Sequence, residues 1–499
     1  MTTCKLDDWQ RWQQQGCTLL PVVLVLRDQS PPISWEGFAD APASALLESA
    51  QAGRYSYLCD RPARIVLGDA GGAEIRSGDG ARSIERREGR PFEVLRDLLA
   101  RVRVPKLPGW PAMTGGLIGV FGYDLVRTWE ALAVSACRDL PVPLYALIEA
   151  RELFVYDHAE RTLSIIVWSE ATSDAAALAE RFQTANKQAH AAQERWRQRS
   201  ALPAAPRLAG NGLPRAAAPT ASLSPQAFES AVRRVLDYIG AGHTYQVNLS
   251  RRTSRATDLA AESLYESLRR VNPSPYMGLL RLPDFALVCG SPELLVKLVD
   301  DVVSSRPIAG TRPRGAGLPE DAHFSVELLA SEKERAEHLM LVDLIRNDIG
   351  RVAAFGSVQV TDFMVLERYS HVMHIVSQVE GRLADGLSWI DVLRSMFPGG
   401  TITGCPKFRT VEIIEELEPV GRGFYTGALG WISYRGEMEM NIVIRSMLLQ
   451  HGIAHVQAGA GIVADSRPER ELDEAARKAQ ALWVALEAAE TARARRHHA

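Results

Sequence analysis

The stretch MNIVIRSMLLQHGIAHVQAGAG, residues 440–461, decides how the chain folds. Two apolar runs, MNIVIRSMLL and IAHVQAGAG, are separated by the short break QHG. Runs of that length and composition around a glycine-containing break predict an antiparallel hairpin. Antiparallel neighbours are the ones a tight turn can join, so the pattern predicts antiparallel or mixed sheets flanked by helices. Arg445 falls inside the first run, and an arginine in an apolar strand needs a partner, because burying an unpaired charge is very costly.

Downstream, Gly459, Gly461 and Ala464 have the spacing of half a dinucleotide fingerprint. They follow a hairpin and lack the βαβ unit with its acidic residue, which excludes nucleotide binding. The glycines still let backbone N–H groups approach an anion closely. The segment SRPERELDEAARKAQALWVAL then predicts a helix opened by a capping box, Ser466 to Glu469. Leu472, Ala475, Ala479, Leu482 and Leu486 form its buried stripe, and Glu471, Glu474 and Lys478 share another face.

A second acidic helix is expected over residues 324–348, with Leu329, Ala336, Met340 and Leu344 as its core stripe and Glu337 beside it. Glu293 in CGSPELLVKL, His374 in SHVMHIVSQVEG and Lys407 in FPGGTITGCPKFR are further candidates. Together they offer carboxylates for a hard cation, cations and glycine backbone for an anion, and a histidine for proton work. That combination suits a small polyanionic substrate with magnesium.

Residues 15–170 carry short apolar runs, LPVVLVL, RIVLG, GGLIGVFGYD, ELFVYD and LSIIVWS, and predict strands more than helices. A helix follows from Ser173 to Arg199. The Ala/Pro/Gly-rich segment 200–222 is the linker, and Ser224 with Pro225 opens the next helix. A formal net charge of −3 argues against a nucleic-acid partner. No run is long enough to cross a membrane, and six scattered cysteines fit reduced thiols, so a cytoplasmic protein is expected.

In order and spacing, GSPELL, PIAGTRPRG, AEHLMLVDLIRND, HVMHIVS, GGTITGCPK, IVIRSM and AGAGIVADSRPERELDEAARK resemble the chorismate-utilising enzymes. That family includes the anthranilate synthase large subunit, aminodeoxychorismate synthase component I, and the isochorismate and salicylate synthases. The likeness implies an α+β fold of the anthranilate synthase large-subunit type, with large antiparallel sheets packed as a sandwich and helices outside. It divides the chain into an amino-terminal domain at 1–199, the linker, and a chorismate-binding catalytic domain at 223–490. Carried over residue by residue, it implies that Glu337 and Glu474 hold Mg²⁺ with Glu471 in support. Lys478 and the backbone of Gly459, Ala460 and Gly461 would receive one substrate carboxylate, and Arg445 and Tyr425 the other. Glu293 would be the acid that releases the ring C4 hydroxyl, with His374, Thr311 and Lys407 as further catalytic positions.

Two positions speak to the reaction. Where the water-adding relatives carry a lysine base, this chain has Gln246, and a neutral amide cannot be that base. Ammonia is then the expected nucleophile. Ala309 stands where many aminodeoxychorismate synthases carry a lysine that bonds covalently to the ring. The resemblance implies the PIAGT subclass, which makes 4-amino-4-deoxychorismate, a p-aminobenzoate and folate precursor, through free 2-amino-2-deoxyisochorismate. Anthranilate synthase is the alternative, favoured by Leu47, Glu48 and Ser49 with Pro275, Tyr276 and Met277, which resemble its tryptophan pocket; a non-catalytic sensor of chorismate or tryptophan is a third reading. No cysteine has a glutaminase setting, so a separate glutamine amidotransferase subunit is the expected partner and ammonia source.

Overall fold

A computed structural model of the chain describes residues 4–497 apart from 33, 39–40, 50–52, 79–82, 133–134, 202–217, 316 and 369–371. The hairpin is present: Ser446–Gln450 pairs antiparallel with Ile453–Ile462, from Met447 opposite Val456 to Gln450 opposite Ile453. Its two-residue turn, His451 and Gly452, has positive φ at both positions (50° and 73°). That is the turn whose twist matches the flanking strands.

The first run, however, is two strands in two sheets. Met438–Ile442 pairs with Ala428–Ser433 and Leu294–Val299, whereas Ser446–Gln450 pairs with Ala286–Ser291. Between them the chain crosses from one sheet to the other, and Arg445 takes φ +51° at the crossing. The expectation of an arginine inside a strand is therefore corrected. The break is conformational, and apolar residues on either side disguise it.

Among the described residues the strands form two sheets of twelve. Their strand pairings are antiparallel throughout, as the apolar alternation and tight turns favour. Leu47, Val155 and Leu287 of one sheet meet Ile118, Ile148 and Trp431 of the other in a core between the sheets. Helices cover the outer faces: Ala175–Ser200, Ala261–Val271 and Pro468–His497 on one, Pro91–Ala100, Glu332–Gly350 and Trp389–Met396 on the other. This is the α+β sandwich with outer helices.

Each sheet is a block of strands from the first 170 residues joined edge to edge to a block from residues 220–462, at one pairing per sheet. Ser44–Glu48 pairs with Tyr276–Arg281, and Gly116–Phe121 with Ala428–Ser433. Most of the linker, residues 202–217, lies outside the described residues. Just after it, Ser224 caps the helix Pro225–Gly240 by accepting from Ala227 N at 3.1 Å.

Two helix expectations need correction. The segment 324–348 is split: Leu318–Ala330 ends at Ser331, whose hydroxyl caps Glu332–Gly350 by accepting from Glu334 N. The break resets the helical phase, so Leu328, His338, Leu341, Val342 and Ile345 are buried together with Leu344 of the expected stripe, while Leu329 is 40 % exposed. The last helix starts at Pro468, with Arg467 O accepting from Arg470 N and Glu471 N. Ser466 instead accepts from Val463 N at 3.1 Å and hydrogen-bonds Glu471.

Candidate active site

Two crossings between the sheets run side by side and build the site. Residues 292–293 join Ala286–Ser291 to Leu294–Val299, and Val443–Arg445 make the return journey. Ile442 N donates to Glu293 O at 3.0 Å, and Gly290 N to Arg445 O at 3.0 Å, so the crossings are stitched together. Each leaves its strand register with a charged side chain held away from bulk water.

Glu293 is 9 % exposed, and burial pushes its carboxyl up to about 7, with the Thr401 hydroxyl and Lys478 pulling the other way. It therefore holds a proton near neutrality, as a general acid must. Arg445 is the complement. Burial lowers its pKa while Tyr425 and Glu474 support the charge, and among the described residues it forms no ion pair. A half-buried guanidinium without a direct ion-pair partner suits an anion, because its desolvation is only partly offset. Tyr425 lies in the same electrostatic neighbourhood, under the Arg422 guanidinium at 5.5 Å.

Lys478, on the last helix, bridges Glu474 at 2.7 Å and donates to Gly459 O at 3.1 Å. A Cβ on Gly459 would stand 2.8 Å from Asn248 Oδ1, and one on Gly461 2.7 Å from Gln246 Nε2. Glycine there lets the polar side chains of the adjoining strand Gln246–Ala256 lie flat against Gly459, Ala460 and Gly461. Asn248 Oδ1 is buried with no hydrogen-bond partner, an acceptor left open beside those glycines.

The three acidic residues expected to serve a metal come from two helices. Burial raises Glu337, and Glu334 and Glu474 raise it further. Burial raises Glu471, with Glu474 adding to it. Among the described residues no three histidine, cysteine or acidic side chains form a ready-made metal cluster. Mutually repelling oxygen donors in pairs still fit magnesium, which usually takes one or two carboxylates and completes its shell with water and substrate oxygens.

His374 sits in the strand Val372–Arg382 opposite Thr311. Between Ala309 and Thr311 the register slips by one residue, and that residue is Gly310, at φ +68°. This is a glycine bulge. It brings the Gly310 carbonyl (3.1 Å) and the Thr311 hydroxyl (3.0 Å) onto His374 Nδ1. A carbonyl only accepts, so Nδ1 carries the proton and Nε2 the lone pair. Burial lowers the His374 pKa, keeping the ring neutral.

The remaining expected positions are held by partners of their own. Lys407 pairs with Asp348 at 2.7 Å and with Ser395 O at 3.4 Å, so its charge is committed to the end of the helix Glu332–Gly350. Ala309 is buried and paired with Ile375 rather than with His374. Gln246, 5 % exposed, pairs with Cys405. The three arginines of RPIAGTRPRG all meet acids: Arg306 Glu367, Arg312 Glu327 and Glu334, and Arg314 Asp321.

Leu47, Glu48, Ser49, Pro275, Tyr276 and Met277 line one cavity of about 750 Å³, closed by Tyr55, Tyr57 and Trp431 among others. The Glu48 carboxylate is occupied by Tyr265 (2.7 Å), Trp35 (3.3 Å) and Arg269 (2.9 Å). Sequence reasoning missed Asn248 Oδ1, Thr401 and Glu367 as site neighbours. Their signal is strand register, which no local pattern displays.

Known proteins resemble this chain in sequence and in fold. Residues 43–483 match the family model described as chorismate binding enzyme. Over 451 residues the chain is 42 % identical to aminodeoxychorismate synthase component 1 of Bacillus subtilis, covering 89 % of this chain and 92 % of the relative. Over 452 residues it is 44 % identical to anthranilate synthase component 1 of Thermus thermophilus, covering 90 % and 93 %. The crystal structure of anthranilate synthase component I from Streptococcus pneumoniae superposes with a TM-score of 0.73 at 32 % identity, covering 86 % of this chain and 92 % of that one.

Proposed function

The chain belongs to the chorismate binding enzymes, and from that premise we propose that it aminates chorismate to 4-amino-4-deoxychorismate, with ammonia delivered by a separate glutamine amidotransferase subunit. The observation that carries the choice of nucleophile is the pair Gln246 and Asn248. The first is a neutral amide where water-adding relatives place a lysine. The second offers a buried, unpaired carbonyl oxygen that suits an N–H donor.

Arg445 and Tyr425 take the enolpyruvyl carboxylate, and Lys478 with the Gly459–Gly461 backbone takes the ring carboxylate. Glu337 and Glu474, supported by Glu471, would hold Mg²⁺, which supplies electron withdrawal through the ring carboxylate. Ammonia adds at C2 while Glu293 gives its proton to the C4 hydroxyl, which leaves as water. His374 accepts the proton released from nitrogen at Nε2. A second ammonia then bonds at C4 and gives its surplus proton to the Glu293 carboxylate, while the C2 amine takes the proton held by His374 and departs as ammonia. Ala309 leaves this route without a covalent enzyme intermediate.

A second reading, anthranilate synthase, is favoured by the cavity that unites the six tryptophan-pocket residues. One incubation separates the readings: chorismate, Mg²⁺ and an ammonium salt, with the product identified by mass and NMR. The expected product is 4-amino-4-deoxychorismate. Anthranilate and pyruvate would replace the first reading by the second, and unchanged chorismate would remove both.

A further inference from the structure

Every N–H donor of the Arg422 guanidinium has its own acceptor. Nε and Nη2 grip the Glu418 carboxylate at 3.0 and 2.7 Å. Nη2 also donates to Asn248 O at 2.7 Å, while Nη1 donates to Ile402 O at 3.1 Å and to Thr426 Oγ1 at 3.3 Å. The group lies over the rings of Tyr123, at 5.1 Å, and Tyr425, at 5.5 Å. Its side chain is 1 % exposed and that of Glu418 3 %. Glu418 Oε1 in turn accepts from Ser250 N and Ser250 Oγ, both at 2.8 Å.

These acceptors belong to separate pieces of the active site. Asn248 is on the strand Gln246–Ala256, and its Oδ1 is the open acceptor beside the glycines. Ile402 follows Thr401, whose hydroxyl pulls the Glu293 carboxyl down against burial. Thr426 follows Tyr425, and its N–H donates to Val443 O at 2.8 Å, in the crossing that carries Arg445. A buried ion pair adds little net stability compared with apolar side chains of the same volume. What Arg422 and Glu418 add is geometry, because a planar guanidinium fixes the directions of its acceptors where an ammonium on a flexible stem would not.

We propose that Arg422 is a positioning residue, a buried fork that fixes Asn248, the Thr401–Ile402 turn and Tyr425 relative to one another. The inference rests on the roles given above to Asn248, Glu293 and Tyr425. With the fork removed, Asn248 Oδ1 drifts from the incoming ammonia, Thr401 from the Glu293 carboxyl, and Tyr425 from the substrate carboxylate. The losses fall on different constants: the KM for ammonium, the pH limb set by Glu293, and the KM for chorismate. Lys478, the other group that lowers Glu293, is on the last helix and outside the fork.

The test uses the full chain with chorismate, Mg²⁺ and ammonium. Near-ultraviolet circular dichroism first establishes that Arg422→Lys is folded. Its kcat should then fall about a hundredfold, as a small misplacement of reacting groups costs, with the KM for ammonium up about tenfold and that for chorismate about threefold. The upper limb of its kcat profile should move to higher pH, because Thr401 no longer lowers Glu293. Asn248→Ala raises the KM for ammonium in the wild-type background, and that effect should vanish in Arg422→Lys, since residues acting as one unit are not additive. A general weakening of the fold would instead multiply the two effects, and that outcome overturns the link to Asn248. An unmoved pH limb overturns the link to Thr401. A folded Arg422→Lys with kcat and both KM values within about twofold of wild type overturns the whole proposal. Should Arg422→Lys not fold, Thr426→Val and Ser250→Ala, each loosening one arm, read the same constants against the same outcomes. If wild type turns over no chorismate, the function above fails. Chorismate affinity by calorimetry, expected to weaken about threefold in Arg422→Lys, then decides whether the fork places Tyr425.

Discussion

Glu293 shows how one residue couples the fold to the chemistry. Its carboxyl moves from 4.5 to about 7, first because of burial. Below about pH 4.5 folded and unfolded chains both hold the proton, and the group contributes no difference. Between there and pH 7 the folded chain keeps a proton that the unfolded chain has lost, so stability falls as pH rises. Above pH 7 the buried charge costs about 3 kcal/mol. Glu293→Gln removes that cost, so its melting temperature should gain on wild type progressively between pH 4 and pH 8. The same substitution removes the acid, and kcat should fall by roughly 10²–10⁴. Wild-type kcat should decline above pH 7, a limb absent from the residual activity of the variant. A constant melting difference across that range would contradict the assignment.

At the scale of elements, what the sequence displays and what it hides follow from the range of the interactions. The hairpin at 446–462 is legible because its turn and pairing are local, and the helix Pro225–Gly240 because its cap is. The sheet crossing at Arg445 is hidden because both strands it joins are apolar, so hydrophobic pattern runs through it unbroken. The split at Ser331 is hidden because good helix formers stand on both sides, and its cost was an expected core stripe of which only Leu344 is buried. PIAGT was legible only as a motif: from Ile308 onward it lies in the strand Ile308–Pro313, and its bulge is a property of pairing with residues some sixty positions away. That bulge is testable. In Gly310→Ala a Cβ would stand 2.8 Å from Leu328 Cδ1 and 3.1 Å from Glu334 Oε2, at φ +68°. The strained backbone should cost on the order of 1–3 kcal/mol. A urea titration should show that loss, with kcat reduced further because Gly310 O and Thr311 move off His374. Wild-type stability in the variant would mean that the bulge has relaxed without strain.

The molecule as a whole joins two sequence regions into one pair of sheets, and this bears on the division at residues 200–222. Without residues 1–199, Tyr276–Arg281 loses its partner Ser44–Glu48, and Ala428–Ser433 loses Gly116–Phe121. Both would become bare edges of apolar strands, which invite aggregation. The core between the sheets would also lose Val23, Ile118, Ile148 and Val155, all nearly inaccessible in the intact chain. At roughly 1.5–3 kcal/mol for each large apolar side chain, four such losses match the whole net stability of a typical domain. The crossings that carry Glu293 and Arg445 hang from these strands, so the active site should share the loss. We therefore expect fragment 218–497, expressed alone, to aggregate or to unfold without a cooperative transition, and to fail to turn over chorismate. Co-expression with fragment 1–201 should restore a 1:1 complex with near-native near-ultraviolet circular dichroism and ammonia-dependent activity, because the missing strands enter their places without the covalent link. A soluble, cooperative and active 218–497 fragment would show that the catalytic region is an autonomous domain and that the shared sheets are a docking arrangement between two folded units.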